Sequence, residues 1–284
     1  WGFDEFRPLQ KEIIQSVLDG KDTLAVLPTG GGKSICFQVP SLARNGICIV
    51  VSPLIALMKD QVENLRKIEI PALLIHSGMK KMDVIRTLKN ATGDYFKFLY
   101  VSPERLETSL FREYLPGLNV SLIAVDEAHC ISQWGYDFRP SYLKIAELRK
   151  ELPDVPVLAL TASATPEVQK DIQQKLEFRS SNLFRQSFER KNISYSVFKV
   201  DSKLAKLVDI VAKVAGTAII YCKSRKRTNE IMNLLQMHGI SSVNYHAGLT
   251  QEERNKRQKD WIDNKVRVIV CTNAFGMGID KSNV

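Results

Sequence analysis

The chain lacks any apolar run near the roughly 20 residues that a helix needs to cross a bilayer, and no leader of the secretory kind opens it. Cysteine is scarce and unpaired. Cys36, Cys48, Cys130, Cys222 and Cys271 are odd in number and never stand as C-x-x-C, so they read as buried, reduced thiols. That pattern favours reduced thiols over a disulfide framework and supports no zinc site. Low-complexity tracts are absent. Methionine does not begin the chain; Trp1 does, and the natural N-terminus is expected upstream.

What is present is ordinary in amount and uneven in placement. Hydrophobic residues make up 44% and charged residues 25%, as in a globular protein, and 284 residues suit two domains. The net charge is +9. From Phe188 onward 17 Lys and Arg face 9 Asp and Glu, against 23 and 22 before it. A basic second part fits a polyanionic partner, although a solvated basic face has the same composition.

Short runs rich in Val, Ile and Leu alternate with amphipathic stretches. Strands are expected at Thr23–Leu27, Ile47–Ser52, Phe98–Ser102, Leu122–Asp126 and Val157–Leu160, buried on both faces of a mostly parallel α/β sheet. Residues 178–193 are polar and then basic, and read as a linker. A second α/β rhythm follows. The helix 202–215 carries Leu204, Leu207, Val208, Val211 and Val214 on one face and is closed by Gly216. Strands are expected at 217–222, 242–245 and 266–271. Thr250 and Glu253 have the spacing of a capping box.

The sharpest signal is Leu27-Pro28-Thr29-Gly30-Gly31-Gly32-Lys33-Ser34, between a strand and a helix. In a P-loop the glycines let backbone N–H groups turn toward phosphate, and the helix N-terminus adds partial positive charge. Thr29, Gly30, Gly31 and Gly32 would line the phosphates, Lys33 would reach the β- and γ-phosphates, and Ser34 would hold Mg²⁺. The usual first Gly is Leu27 here. The bland alternative is a Gly-rich turn with a surface lysine. A second element opposes it: Leu122–Val125 is a buried run ending in Asp126 and Glu127. Asp126 is placed to orient Mg²⁺ and Glu127 to align and polarise the attacking water.

Asp126-Glu127-Ala128-His129 resembles the DEAH box of superfamily 2 helicases. The run Cys130-Ile131-Ser132-Gln133-Trp134-Gly135-Tyr136-Asp137-Phe138-Arg139-Pro140 is similar to the aromatic-rich loop of the RecQ family of DNA helicases, and the resemblance covers essentially the whole chain. It implies two tandem RecA-like P-loop domains of mostly parallel α/β class, 1–187 binding ATP and 188–284 incomplete at its C-terminus. It implies ATP and Mg²⁺ as cofactors, single-stranded and forked DNA as partners, no membrane, and 3′ to 5′ unwinding in recombination or repair. Such a motor resides in the nucleoid of a bacterium or the nucleus of a eukaryote. No protein partner is implied.

Residue by residue, the resemblance puts Phe3, Arg7 and Gln10 at the adenine, with Gln10 bonding its edge. Gly278 and Asp280, in the motif Thr272–Asp280, join the nucleotide site. Ser52, Lys223, Arg225 and Thr272 fall in nucleic-acid motifs. Trp134, Phe138 and Arg139 would sense unpaired bases, since aromatics and Arg stack without reading sequence; the competing reading buries Trp134 and Phe138 as core. For Lys226 and Arg227, phosphate contact and a solvated face stand level. His129 reads as holding the Thr161 segment or the second domain, with no partner at metal-ligand spacing. The family loop usually has His at Tyr136, an acid at Ser141, and Pro at Lys191. The arginine-bearing motif that the resemblance leads one to expect, and the zinc-binding and winged-helix modules, would lie beyond Val284. Two rivals stand beside this reading: an RNA helicase or non-unwinding translocase of the same superfamily, and a nucleic-acid-binding module with poor turnover.

Overall fold

The structure, a computed structural model, describes all residues except 3, 136, 188–192, 277, 278, 280 and 282. It divides into two units, Trp1–Arg190 and Lys191–Val284.

Among the described residues of the first unit seven strands form one sheet: β1 (Thr23–Val26), β2 (Ile47–Val51), β3 (Ala72–Ile75), β4 (Phe98–Val101), β5 (Val120–Val125), β6 (Val157–Thr161) and β7 (Leu183–Arg185). Their order is β3-β4-β2-β5-β6-β1-β7, and every pair is parallel. The helices are α1 (Gln10–Leu18), α2 (Lys33–Ala43), α3 (Ile55–Lys67), α4 (Lys81–Ala91), α5 (Ser109–Tyr114), α6 (Lys144–Glu151) and α7 (Pro166–Lys175).

Strand side chains alternate between the two faces, and both faces are covered. Cys48, Val50, Leu122, Ala124, Leu158 and Leu160 pack with Ile13 of α1, Phe37 of α2 and Met58 of α3. Ile49, Val51, Ile123, Val125 and Ala159 pack on the other side with Leu88 of α4, Ile145 of α6 and Ile172 of α7. This is why β2, β5 and β6 read as unbroken apolar runs. Because the pairing is parallel, the chain leaves β1, β2, β5 and β6 at one edge of the sheet, and these four strands are neighbours. Loop residues from four distant segments therefore meet there.

The second unit holds α8 (Lys203–Lys213), β8 (Ala218–Tyr221), α9 (Arg225–Met237), β9 (Ser242–Tyr245), α10 (Gln251–Ile262) and β10 (Val268–Cys271). Its three-stranded parallel sheet has the order β8-β10-β9. Central β10 sends Val268 and Val270 toward Val211 of α8 and Ile231 and Leu235 of α9. Its alternate residues Ile269 and Cys271 meet Trp261 of α10, Tyr245 and Phe275. Thr250 and Glu253 form the capping box that starts α10.

Two sequence expectations need correction. Residues 178–193 are not wholly linker: Leu183–Arg185 add β7 to the edge beside β1, fastened by Asn182, whose side-chain amide donates to Ser16 Oγ (2.7 Å) and the Asp22 carbonyl (3.1 Å). Val214 does not share the buried face of α8. The helix ends at Lys213, and Val214 turns to extended backbone and is exposed. The cysteines are free thiols, and burial pushes Cys36, Cys48, Cys130 and Cys271 up to about 12, so they stay protonated.

At the opposite edge of the sheet from the functional loops, just before β1, Asp22 is fully buried. It accepts from Arg149 (3.1 Å), from Arg179 (2.9 Å) and from the Val157 N–H (2.9 Å). Burial alone would raise its pKa, but these donors outweigh burial and hold it below the ordinary 3.8. A carboxyl depressed on folding contributes stability above its unfolded value and loses it as pH falls through the folded one. Removing one partner of a buried pair costs about 3–5 kcal/mol. Asp22→Ala is therefore expected to lower the melting temperature by on the order of 10 °C at neutral pH. It should also flatten the fall in melting temperature that the wild type shows below about pH 4. An unchanged melting curve at both pH values would contradict this.

Candidate functional site

The loop after β1 wraps the start of α2. Gly32 has φ +74 and immediately precedes Lys33, the first helical residue. A Cβ there would collide with the Gln10 amide, so the position demands glycine both for its backbone and for its neighbour. Gln10 is 4% exposed. Its Nε2 donates to the Gly32 carbonyl (3.0 Å) and its Oε1 accepts from the Arg7 N–H (2.8 Å). The Arg7 guanidinium donates to the Gly30 carbonyl. Arg7 and Gln10, two of the three residues expected at adenine, thus hold the Gly-rich loop itself. Gln10 keeps one donor hydrogen and one lone pair beyond those bonds. Thr29 and Gly30 are exposed, while Gly31, Lys33 and Ser34 are half-buried. Phe3, Gly278 and Asp280, expected at the nucleotide, and the Tyr136 departure lie outside the described residues.

Two strands away, β5 ends at Val125 and delivers Asp126, whose N–H still donates to the Val51 carbonyl (2.9 Å). Asp126 is buried. Burial first, then the charge of Glu127, raises its pKa to about 6. The Glu127 N–H, the charge of Lys33 and the Ser52 hydroxyl pull the other way. Glu127 adopts the left-handed conformation at φ 47, which few non-glycine residues take. That turn points its carboxylate at His129 Nδ1 (3.3 Å), and the same nitrogen meets Thr161 Oγ1 (2.9 Å) at the end of β6. Burial opposes ionisation of Glu127, but the His129 hydrogen bond and the charges of His129 and Lys33 prevail and lower its pKa. Adjacent carboxyls are thereby pushed apart, one up and one down, as in sites where two acids take different roles.

Ser52, expected in a nucleic-acid motif, is 2% exposed, and its hydroxyl donates to Asp126 Oδ2 (3.3 Å). His129 does hold the Thr161 segment.

The aromatic loop continues directly from this network. Trp134 is 78% exposed, which rules out the core reading for it. Phe138 is half-buried under Lys175 Nζ, 5.7 Å from the ring centroid. Lys175 also donates to the Ile131 carbonyl (3.2 Å) and pairs with Asp171 (3.2 Å). It ends α7, which Thr165 caps just after Thr161. Lys175 lies outside every motif, and only the fold brings it under the loop. Arg139 pairs with Asp137 (3.0 Å) and donates to the Pro53 carbonyl (3.3 Å), joining the loop to the segment after β2. Ser141, where the family pattern has an acid, donates to Glu104 (3.4 Å).

In the second unit Lys223, Arg225 and Thr272 line one cavity of ≈ 670 Å³ with Ser224 and Ala247. It sits where β8 and β10 end and α9 begins, and Ser224 caps that helix. Gly248 leaves room for the Arg225 side chain, which a Cβ there would meet at 2.8 Å. Two exposed cations at a helix N-terminus are chemically suited to phosphate. Arg227 pairs with Glu230 (2.8 Å) on the exposed face of α9, which favours the solvated reading for it.

Comparison with known proteins agrees with this geometry. The DEAD/DEAH box helicase family matches residues 7–172, and the helicase conserved C-terminal domain matches 202–284. The chain belongs to the DEAD/DEAH box helicases. A structure of the helicase MrfA bound to DNA shares the fold, with TM-score 0.76 at 18% identity over 98% of this chain and 44% of that one. The "ATP-dependent DNA helicase RecQ" of Bacillus subtilis is 42% identical over 100% of this chain and 49% of its own length. That of Haemophilus influenzae is 41% identical over 100% and 46%. Within the box helicases the chain is of the RecQ family. A "putative ATP-dependent RNA helicase" of Acanthamoeba polyphaga mimivirus is also 41% identical, over 100% of this chain and 52% of its own. The chain spans about half the length of these relatives.

The buried Tyr142 hydroxyl donates to the Asp126 carbonyl (2.9 Å) and anchors the turn that Glu127 makes. Tyr142→Phe leaves that carbonyl without its donor, and the melting temperature is expected to fall by the equivalent of about 1–3 kcal/mol. Full retention of stability would show that the bond carries no weight in the turn.

Proposed function

We propose that this chain is the motor of an ATP-dependent, RecQ-type DNA helicase, which couples ATP hydrolysis to 3′ to 5′ movement on single-stranded DNA and to unwinding of forked duplex in recombination and repair. The observation that carries the reading is the unbroken path Asp126–Glu127–His129–Thr161 running into the loop that exposes Trp134. The relatives' names supply the substrate. A DNA motor of this kind works in the nucleoid or the nucleus.

In this reading the loop Thr29–Gly32 and the N-terminus of α2 take the phosphates, and Lys33 neutralises charge developing at the γ-phosphate. The residues fit Mg²⁺: Ser34 offers a hydroxyl, and a divalent ion would keep the buried Asp126 ionised. Bound there, it would supply electrostatic stabilisation of the transferring phosphoryl group. Glu127, held ionised by His129, accepts a proton from the attacking water and sets its angle. A base stacked on Trp134 moves the loop, and the loop is hydrogen-bonded to the segment that holds Glu127. Strand contact is thereby transmitted to the water. Lys223, Arg225 and Thr272 grip backbone phosphate from the second unit.

The test is ATP hydrolysis by this chain with no nucleic acid, with single-stranded DNA and with single-stranded RNA. Stimulation by DNA is expected. Stimulation by RNA instead would transfer the reading to an RNA motor, the alternative that the mimivirus relative favours. Turnover absent in all three conditions would leave a binding module. Lys33→Ala is expected to lower kcat by about 10² or more, with DNA binding retained; normal turnover would remove the phosphate-loop assignment. Trp134→Ala should spare basal turnover and the melting temperature but weaken single-strand affinity about fivefold or more, the value of one base–aromatic stack. Equal loss of basal and stimulated rates would point to structural damage.

A further inference from the structure

One cluster beside the acids shares His129 with that mechanism and adds two groups the mechanism does not use, Cys130 and Asp137. Cys130 Sγ lies 3.8 Å from His129 Nε2 and 3.8 Å from Asp137 Oδ2, and the three ligand atoms stand within 4.8 Å of one another. Sequence spacing hides the cluster. His129 and Cys130 are adjacent, and Asp137 returns because the Arg139 N–H donates to the Cys130 carbonyl (2.8 Å) and closes the loop.

The hydrogen-bond chemistry of the cluster is specific. Glu127 and Thr161 Oγ1 both face His129 Nδ1, so a metal would meet the lone pair of the other ring nitrogen, Nε2, on the side of the thiol. Cys130 has one weakly donating S–H between two acceptors, that lone pair and the Asp137 carboxylate. A divalent ion replacing that single proton would be held by all three atoms at once. Tetrahedral zinc, with bonds of about 2.0–2.3 Å, sets its ligands roughly 3.3–3.7 Å apart. The two sulfur separations are within a few tenths of an ångström of that, and rotation of the half-exposed Asp137 closes the third side. Glu127 on the far ring nitrogen completes the carboxylate–histidine–metal arrangement that orients zinc-bound imidazole. The N, S, O donor set selects a borderline-soft ion, whereas Ser34 and Asp126 offer oxygen alone and suit Mg²⁺.

We propose that His129, Cys130 and Asp137 form a three-ligand site for Zn²⁺ or a similar ion, and that its occupation inhibits DNA-stimulated turnover. The inhibition follows from what the ligands otherwise do. His129 aligns Glu127, and Asp137 Oδ2 holds Arg139 at 3.0 and 3.2 Å. A metal on those atoms fixes the ring and pins the loop to the DEAH segment. It also takes from Arg139 the carboxylate oxygen that orients it.

The binding test needs neither ATP nor DNA, so it stands or falls apart from the proposed motor function. Purified protein in metal-free buffer is titrated with Co²⁺ as a spectroscopic substitute for zinc. The expected result is a thiolate-to-cobalt charge-transfer band that Zn²⁺ bleaches. The band should be lost in Cys130→Ser and kept in Cys222→Ser, and affinity should fall about tenfold or more in Asp137→Asn, a partly exposed position that tolerates change. Melting curves identify any variant that fails to fold, and Asp137→Asn then carries the comparison. Absence of the band in the wild type, or its survival in Cys130→Ser, overturns the site. In a second arm, Zn²⁺ added with Mg²⁺ in excess is expected to suppress DNA-stimulated hydrolysis in the wild type and not in Cys130→Ser. Zinc binding with undiminished stimulation overturns the inhibitory role.

Discussion

Everything functional in the first unit hangs on how β5 ends. A fully buried strand delivers Asp126 to the sheet edge, and the next residue turns left-handed. That turn is an uncommon backbone state, of order 1–3 kcal/mol above the ordinary one, so its surroundings must over-determine it. They do so from several directions. Ser52 reaches Asp126 from β2, Tyr142 caps its carbonyl from the following segment, and Thr161 at the end of β6 fixes the ring that holds Glu127. Parallel pairing of β2, β5 and β6 sets these groups side by side; no local sequence feature could.

The same turn separates the two acids chemically. Asp126 looks inward, where burial and its neighbour's charge keep its proton affinity high. Glu127 looks toward His129 and stays ionised. One strand end thus carries two carboxyls of different proton affinity, suited in the proposed motor to hold a cation and to accept a proton, and the aromatic loop begins three residues on, at Cys130. Lys175 and Arg139 carry the loop's position into α7 and into the segment after β2, where Ser52 bonds Asp126, so a shift of the loop loads a partner of the acids.

Much of this was legible in the residues. The central strands showed as unbroken apolar runs because both faces of the sheet are covered, and the glycines before Lys33 showed because a phosphate loop needs backbone that only glycine supplies. Thr250 and Glu253 announced a helix start by spacing alone. β7 was missed because three residues at an exposed edge, two of them outward-facing, leave no apolar signature, and only hydrogen bonds to β1 define it. β3 was missed because four residues after Pro71 are too short a run to separate from a loop. The roles of Ser52, Lys175 and the buried Asp22–Arg149–Arg179 cluster depend on partners 44 to 157 positions away, which no local pattern records. Asp137 comes back beside His129 and Cys130 only through a loop, so no local spacing shows the three together.

The central claim is that the nucleotide site and the aromatic loop are one mechanical unit joined through Glu127, His129 and Thr161. Hydrogen–deuterium exchange of peptides covering residues 128–139, with and without a non-hydrolysable ATP analogue and Mg²⁺, tests it most directly. The account predicts that nucleotide alone alters exchange in this segment in the wild type, and that Thr161→Val, which removes the hydroxyl from His129, abolishes the change while nucleotide still binds. Exchange in 128–139 that is indifferent to bound nucleotide in the wild type would contradict it.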